Sequence, residues 1–383
     1  MSGPERSFSV AARERTSGDG LALVSRGDAL TPYFFAALAR RFPITATIDP
    51  ELSRPQRYLV AALTLRLTRS RWMERFYKSN LATRLRSANA RREVRSLHSS
   101  PNVAVQVHAL FQLSGLPSVL YVDCTHAQSA ALWPAWNPLR GRSLEGWYRN
   151  EREIYRAAEH LFAFSEATKG SLVGDYGLAP EKVTVTGAGV NFLQLPELPT
   201  RRDPRSSAHP TILFIGNDFV RKGGEVLLEA FANVRRLIPG ARLQLVGLDP
   251  GIRARPGVEV LGSIRDRERV AELYRAAAVF VVPSFFDPFP LVALEAMAFG
   301  LPVIASRQMG TPEMIVDGVT GKLVEPGDVV GLTNVLLEVL RDPDSADLLG
   351  AAARRDVQNR FTWDAVVDRM APVLEKLSAR VDR

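Results

Sequence analysis

The chain is 383 residues long, with 46% hydrophobic and 23% charged residues. That is ordinary globular usage, which excludes a disordered, collagen-like or coiled-coil protein and suggests about two domains. A single cysteine, Cys124, excludes an internal disulfide, and the net charge of +8 is uneven: residues 1–200 hold 25 Lys and Arg against 17 Asp and Glu, residues 201–383 hold 24 against 24.

The first twenty residues, MSGPERSFSVAARERTSGDG, contain no apolar run long enough for a signal-peptide core, which argues against secretion. The longest apolar stretches, such as Ala276 to Phe286, fall short of the ~20 residues of a membrane helix. The expected location is cytoplasmic, with peripheral contact at the inner face of a membrane as an open option.

Short β-branched runs read as strands at Leu21 to Ser25, Ile44 to Ile48, Val103 to Val107, Val119 to Val122, Leu161 to Phe164 and Val183 to Thr186. They recur at Ile212 to Ile215, Leu243 to Val246, Val258 to Leu261, Val279 to Val282, Val303 to Ala305 and Lys322 to Val324. Helical patterns lie between them, the signature of parallel α/β architecture. LPELPTRRDPRSSAHP, Leu195 to Pro210, is dense in proline, serine and charge and has neither period, so it reads as a linker. The expected domains are 1–195, a linker at 196–210, 211–362, and a C-terminal helix over 363–383 returning to the first domain. Ligands sit outside the carboxyl ends of strands in such sheets, so two domains facing a cleft would place the active site between them.

Residues 66–95 hold Arg66, Arg69, Arg71, Arg75, Lys78, Arg84, Arg86, Arg91, Arg92 and Arg95 against only Glu74 and Glu93. As a helix, this segment would put Leu65, Trp72 and Phe76 on one face, with Arg71, Arg75 and Lys78 roughly opposite. It reads as a solvated face on a core-packed helix, as contact with an anionic membrane or acceptor, or, least favoured, as a nucleic-acid surface.

Two stretches carry chemistry. In VFVVPSFFDPFPLVALEAMAFGLPVIAS, Val279 to Ser306, a strand ends at Pro283 and Ser284, a proline-broken loop follows, and a helix runs from about Leu291 to Phe299 before Gly300. Asp287 and Glu295 then lie in the strand-end loop and on the following helix, where carboxylates can bind sugar and ribose hydroxyls. The loop Gly216 to Gly224, containing Asn217, Arg221 and Lys222, precedes a helix opening near Glu225 and reads as a phosphate cradle. In Met309 to Glu313, Thr311 reads as an N-cap and Pro312 as the first helical residue. Asp342-Pro-Asp344 imitates a metal-binding pair but falls in a helix-connecting turn, and no His/Cys cluster has metal spacing, so no metal is implied.

The run Asp287-x7-Glu295, AMAFGLPVIAS, Gly310-Thr-Pro-Glu313 and DGVTGKLVEPGD resembles the family 4 retaining glycosyltransferases of the GT-B fold. The resemblance extends back through ILFIGNDFVRKGGEVLLEAF and AEHLFAFSEATKGSLVGDYGLAPEKVTVTGAGV, covering roughly residues 150 to 370. It implies two doubly wound Rossmann-like domains, a nucleotide-diphosphate sugar as co-substrate and no further cofactor. It also implies that Glu295 binds ribose hydroxyls and Asp287 the donor sugar, with Gly216, Lys222, Ser284, Phe289, Leu291 and Gly310 around the donor. Several positions depart from the family pattern. Aspartate stands for the usual glutamate at 287, Pro290 replaces a glycine whose N–H faces the sugar, and Asn217 replaces an arginine, for which Arg221 would compensate. The glycine loop after the first strand is reduced to Gly27. The family's histidine position is Asp123, with His126 three residues on as a substitute; His108 is an acceptor-side candidate, while His98, His160 and His209 look incidental.

The function implied is transfer of a sugar to an acceptor hydroxyl, in polysaccharide or glycolipid assembly or natural-product glycosylation. The acceptor would be a sugar, a lipid-linked molecule or a small molecule. The alternatives are a nucleotide-sugar epimerase and a non-catalytic nucleotide-sugar or polyanion-binding protein.

Overall fold

The computed structural model describes residues 20–25, 30–67, 69–98, 101–137, 139–197, 209–247, 251 and 255–381. Among them, one compact unit lies within Met1–Gly187 plus Trp363–Arg383 and a second within Ala188–Thr362. Most of the expected linker, residues 198–208, lies outside the described residues.

The first unit runs β1 (Leu21–Val24), α1 (Thr31–Arg41), β2 (Ile44–Ile48), α2 (Arg54–Thr64), α3 (Arg69–Tyr77), α4 (Asn80–Ser96), β3 (Val103–Val107) and β4 (Ser118–Val122). It continues with α5 (His126–Leu132), α6 (Arg142–Ala157), β5 (His160–Ala163), α7 (Glu166–Gly174) and β6 (Val183–Val185). The sheet order is β2-β1-β3-β4-β5-β6, and every pairing is parallel. Strands covered on both faces read as continuous apolar runs, as β3 and β4 do, with all five residues of each buried.

The second unit runs β7 (Thr211–Ile215), α8 (Gly224–Leu237), β8 (Arg242–Val246), β9 (Val258–Gly262), α9 (Arg267–Ala276), β10 (Val279–Val282) and α10 (Leu291–Ala298). It continues with β11 (Val303–Ser306), α11 (Thr311–Met314), β12 (Lys322–Val324), α12 (Val329–Arg341) and α13 (Pro343–Arg360); α14 (Trp363–Val381) then belongs to the first unit. The order β12-β11-β10-β7-β8-β9 is again fully parallel. Strand order reverses at the β7/β10 neighbours, so the loops after these two strands flank the crevice where an open α/β sheet takes its ligand.

The long final helix α14 is held to α1. Trp363 packs against Phe34 with ring centroids 5.4 Å apart, Arg40 and Arg41 pair with Asp364 and Glu375, and Arg369 donates to the Thr186 carbonyl at 2.7 Å.

All the strands expected from sequence form, within a residue or so at each end. Two local expectations do not hold. Gly310, not Thr311, is the N-cap of α11, and Thr311 is the first helical residue. Residues 65–95 do not make one helix: α2 ends at Thr64, with Leu65 extended (φ −50°, ψ 137°), and the Ser79 hydroxyl accepts from Ala82 N–H to start α4. Leu65 therefore shares no face with Trp72 and Phe76. Phe76 is buried in a small cluster with Leu52, Val60 and Ala82, and the Trp72 indole N–H donates to the Ala61 carbonyl at 3.0 Å. Arg86 is fully buried, its Nε 3.3 Å from Glu51 Oε1, and Lys78 donates to the Trp136 carbonyl. Part of the basic run thus holds the fold together. Asp342 caps α13 by accepting from Ser345 N–H, a structural duty that accounts for its place in Asp342-Pro-Asp344.

Candidate functional site

In the second unit the loop from β7 to α8 is shaped by its glycines. Gly223 is left-handed (φ 75°), and a Cβ there would lie 1.9 Å from the Pro283 carbonyl oxygen at the end of β10. Only glycine allows that approach. A Cβ on Gly216 would lie 3.0 Å from Lys222 Cγ, so the bare glycine leaves room for the lysine stem. The Lys222 ammonium rests directly on the Asp287 carboxylate, with both side chains largely buried. Asn217 is exposed, its side-chain oxygen beside Gly247.

Arg221, the expected phosphate clamp, has protein partners. It is 9% exposed, donates through Nη1 to the Phe286 carbonyl at 2.7 Å, and pairs through Nε with Asp218 at 3.3 Å. The guanidinium stays 3.9 Å from Asp287 Oδ2. Its geometry braces the loop that carries Asp287.

Gln308 is a further participant. Its amide accepts from Asp287 N–H at 3.2 Å and donates to the Asp287 carbonyl at 3.0 Å, while Gly310 N–H donates to the Pro288 carbonyl at 3.2 Å. The neighbouring Met309 holds φ 46°, a conformation unusual for a side chain of this kind and maintained by the surrounding contacts. Nothing in the local sequence singles out Gln308, because its partners lie on another strand's loop.

Glu295 sits in a second cluster. α10 starts after Pro290, which caps without an N–H to offer, and stops at Gly300 in the left-handed region (φ 65°). Glu295 Oε2 accepts from the Tyr274 hydroxyl at 3.2 Å, and Oε1 lies 3.9 Å from Arg267 Nη1. Burial raises the Glu295 pKa, opposed by the Arg267 charge and the Tyr274 hydrogen bond. Tyr274 stacks on Phe299 at 5.2 Å, and Arg267 donates to the Asn191 carbonyl at 2.6 Å. Asp287 and Glu295 thus have separate sets of partners. Ser284 Oγ is buried without a partner among the described residues, Phe289 and Pro290 are buried, and Leu291 is half-buried.

In the first unit a cavity of about 250 Å³ opens at the ends of β3 and β4, lined by Lys78, His108, Asp123, Cys124, His126, Trp136 and Glu151 among others. His108 holds φ 63°, and its Nδ1 lies 3.3 Å from Asp123 Oδ1, joining two sequence candidates. His126 opens α5 and is 4% exposed, its ring 5.8 Å from Trp147 and 5.4 Å from Tyr148. Burial and the Lys78 charge push its pKa down to about 4 against a hydrogen bond with Asn137, so the ring is neutral at pH 7. Its Nε2 is buried without a partner among the described residues.

Beneath it Glu151 accepts from the Tyr176 and Tyr155 hydroxyls and, at 3.3 Å, from His126 N–H. Burial still raises it to about 7. Glu151 went unnoticed in the sequence, although Glu151, Ile154 and Tyr155 share one inward face of α6. His160 bonds Thr184 at 2.9 Å between neighbouring strands, and His98 and His209 are exposed. Gly27 lies outside the described residues.

Residues 209–342 match the family model for glycosyl transferases group 1. The chain is 29% identical over 282 residues to a glycogen synthase of Mycobacterium tuberculosis, covering 71% of this chain and 66% of that protein. It is 32% identical over 263 residues to an MMP alpha-(1->4)-mannosyltransferase of Mycolicibacterium hassiacum, covering 66% of this chain and 62% of the relative. It therefore spans somewhat less than two thirds of these curated relatives. In fold it is similar to a sucrose-phosphate synthase from Thermosynechococcus elongatus, with a TM-score of 0.69 at 22% identity, covering 94% of this chain and 99% of that one. WaaG, a glycosyltransferase involved in lipopolysaccharide biosynthesis, gives 0.63 at 17% identity, covering 91% and 98%. The matched segment, which holds Lys222, Asp287 and Glu295, is similar to the group 1 glycosyl transferases, and the chain has the GT-B architecture of two parallel six-stranded sheets.

Proposed function

We propose that this protein is a retaining glycosyltransferase moving a sugar from a nucleotide-diphosphate donor to an acceptor hydroxyl. The observation that carries the reading is the buried contact of Lys222 with Asp287 beside the β7/β10 reversal, with Glu295 on the following helix. On donor binding, the Lys222 ammonium is shared between Asp287 and the diphosphate and stabilises the charge that develops on the leaving group. Glu295 accepts from ribose hydroxyls, Ser284 Oγ offers an unused hydrogen bond, and Gly216 and Gly310 bring bare backbone close. Phe289, Pro290 and Leu291 shape the sugar's surroundings.

Asp287 positions the sugar and is not a nucleophile, since its charge is already held by Lys222. Arg221 acts through the loop. The acceptor is taken by the first unit, where neutral His126 and the His108–Asp123 pair line a cavity that also holds Lys78, Glu151 and aromatic side chains. Polysaccharide or glycolipid assembly is the favoured setting, with peripheral contact through the basic residues of 66–95 near an anionic membrane.

The test is release of nucleotide from a panel of nucleotide sugars, with and without sugar acceptors. Acceptor-dependent release with retained anomeric configuration is expected. An isomerised donor in the absence of acceptor would establish an epimerase. Thermal stabilisation by nucleotides without turnover on any acceptor would establish a binding protein.

A further inference from the structure

Helix α2 is amphipathic the wrong way round for a helix wholly covered by protein. Val60 and Thr64 turn inward and are buried. On the opposite side Pro55, Tyr58, Leu59, Ala62 and Leu63, at i, i+3, i+4, i+7 and i+8, form an apolar stripe that faces solvent. Tyr58 is 76% exposed and Leu63 66%, and the chain continues with Leu65 at 62% and Leu67 at 107%. Scattered exposed leucines need no explanation, but a continuous apolar stripe and turn mark an interaction surface.

Its surroundings identify the occupant. Residues 52–67 carry Arg54, Arg57 and Arg66 and no acidic residue. The Arg66 guanidinium donates to the Leu65 carbonyl at 2.8 Å, which keeps a cation at the root of the leucine turn. Aliphatic side chains at the edge with cations around them complement a surface that is anionic outside and hydrocarbon beneath. Nucleic acid would satisfy the arginines but give the leucines nothing to enter. Among the described residues no helix is long and apolar enough to cross a membrane, so contact from this helix would lie in the interface plane.

We propose that α2 and the turn through Leu67 dock on an anionic lipid leaflet, with Leu63, Leu65 and Leu67 entering the acyl boundary and Arg54, Arg57 and Arg66 meeting headgroup phosphates. This deepens the peripheral-membrane part of the proposed function and moves the contact from the α3–α4 face to α2. It is read without a sugar donor, so failure of glycosyl transfer leaves it standing, and failure of docking leaves glycosyl transfer standing.

The experiment is co-sedimentation of the full chain with vesicles of phosphatidylcholine alone or containing about a third phosphatidylglycerol. Binding to the anionic vesicles only, weakened by salt, is expected. Leu63→Gln/Leu65→Gln/Leu67→Gln should lower the bound fraction at least about ten-fold, and Leu67→Gln alone several-fold, with unchanged circular dichroism because these side chains are exposed. Arg91→Gln/Arg92→Gln/Arg95→Gln, on exposed positions of α4, should change binding less than about three-fold. Equal losses in the two triple variants, or no binding by the wild-type chain, overturn the proposal. A concentration-dependent dimer that the leucine variant abolishes also overturns it and gives the stripe to a second copy.

Discussion

The phenol of Tyr274 donates to Glu295 Oε2 at 3.2 Å, and both groups are shut away from solvent. Burial alone pushes the Glu295 carboxyl up, and the Tyr274 hydrogen bond is one of two influences that pull it back. Tyr274→Phe removes one of them, so the carboxyl rises further and protonates at higher pH. Donor affinity measured against pH should then fall off at a higher pH on the acid side than in the wild type. An unshifted acid limb would make Tyr274 a packing residue only.

Replacing Glu295 with alanine removes the acceptor proposed for the ribose hydroxyls. Affinity for nucleotide sugars should weaken by about 1.5 to 3 kcal/mol by calorimetry, and transfer should almost cease. Unchanged affinity and rate would take Glu295 out of the donor site.

Lys222→Ala has two separable effects. Without the ammonium, the Asp287 carboxylate stays buried with Arg221, at 3.9 Å, as the one cation within 4 Å among the described residues, and breaking a buried pair typically costs about 3 to 5 kcal/mol of stability. Lys222→Ala/Asp287→Ala should recover part of that loss in denaturant unfolding. Among ligands, affinity for a nucleoside diphosphate should fall more than affinity for the free nucleoside, since only the former carries the charge. Equal losses for the two ligands would point to a distorted site.

The Glu151 carboxyl makes stability depend on pH. Its folded value of about 7 lies above the ordinary 4.5, so its contribution is fully present below pH 4.5 and is lost as pH rises through about 7. The full span corresponds to roughly 3 kcal/mol at 1.36 kcal/mol per pH unit. Unfolding free energy of the wild type should decline between pH 5 and about 8 relative to Glu151→Gln, whose amide stays neutral throughout. Parallel pH curves for the two proteins would show that Glu151 stays ionised.

The strands were legible because parallel strands covered on both faces are apolar throughout, as VFVV of β10 is. Asp287 and Glu295 were legible because a strand end, a proline-broken loop and a helix start leave little choice of placement. What escaped depends on contacts distant in sequence. The bracing of the Asp287 loop by Arg221 escaped because its carbonyl partner at Phe286 is 65 residues away, and Glu151 looked like one acid among several because its tyrosine partners include Tyr176 on another element. The break before α3 escaped because helical periodicity persists through Leu65 to Phe76 with no proline or glycine to interrupt it.

The Gln308 amide grips residue 287 by its main chain alone, through one accepted and one donated hydrogen bond. The path of the loop at 287 is therefore set by Gln308, while the carboxylate it carries is seated on Lys222. An acid one methylene longer would keep the main-chain grip but have to displace the ammonium, so the reach toward a bound sugar is limited by the lysine and not by the loop.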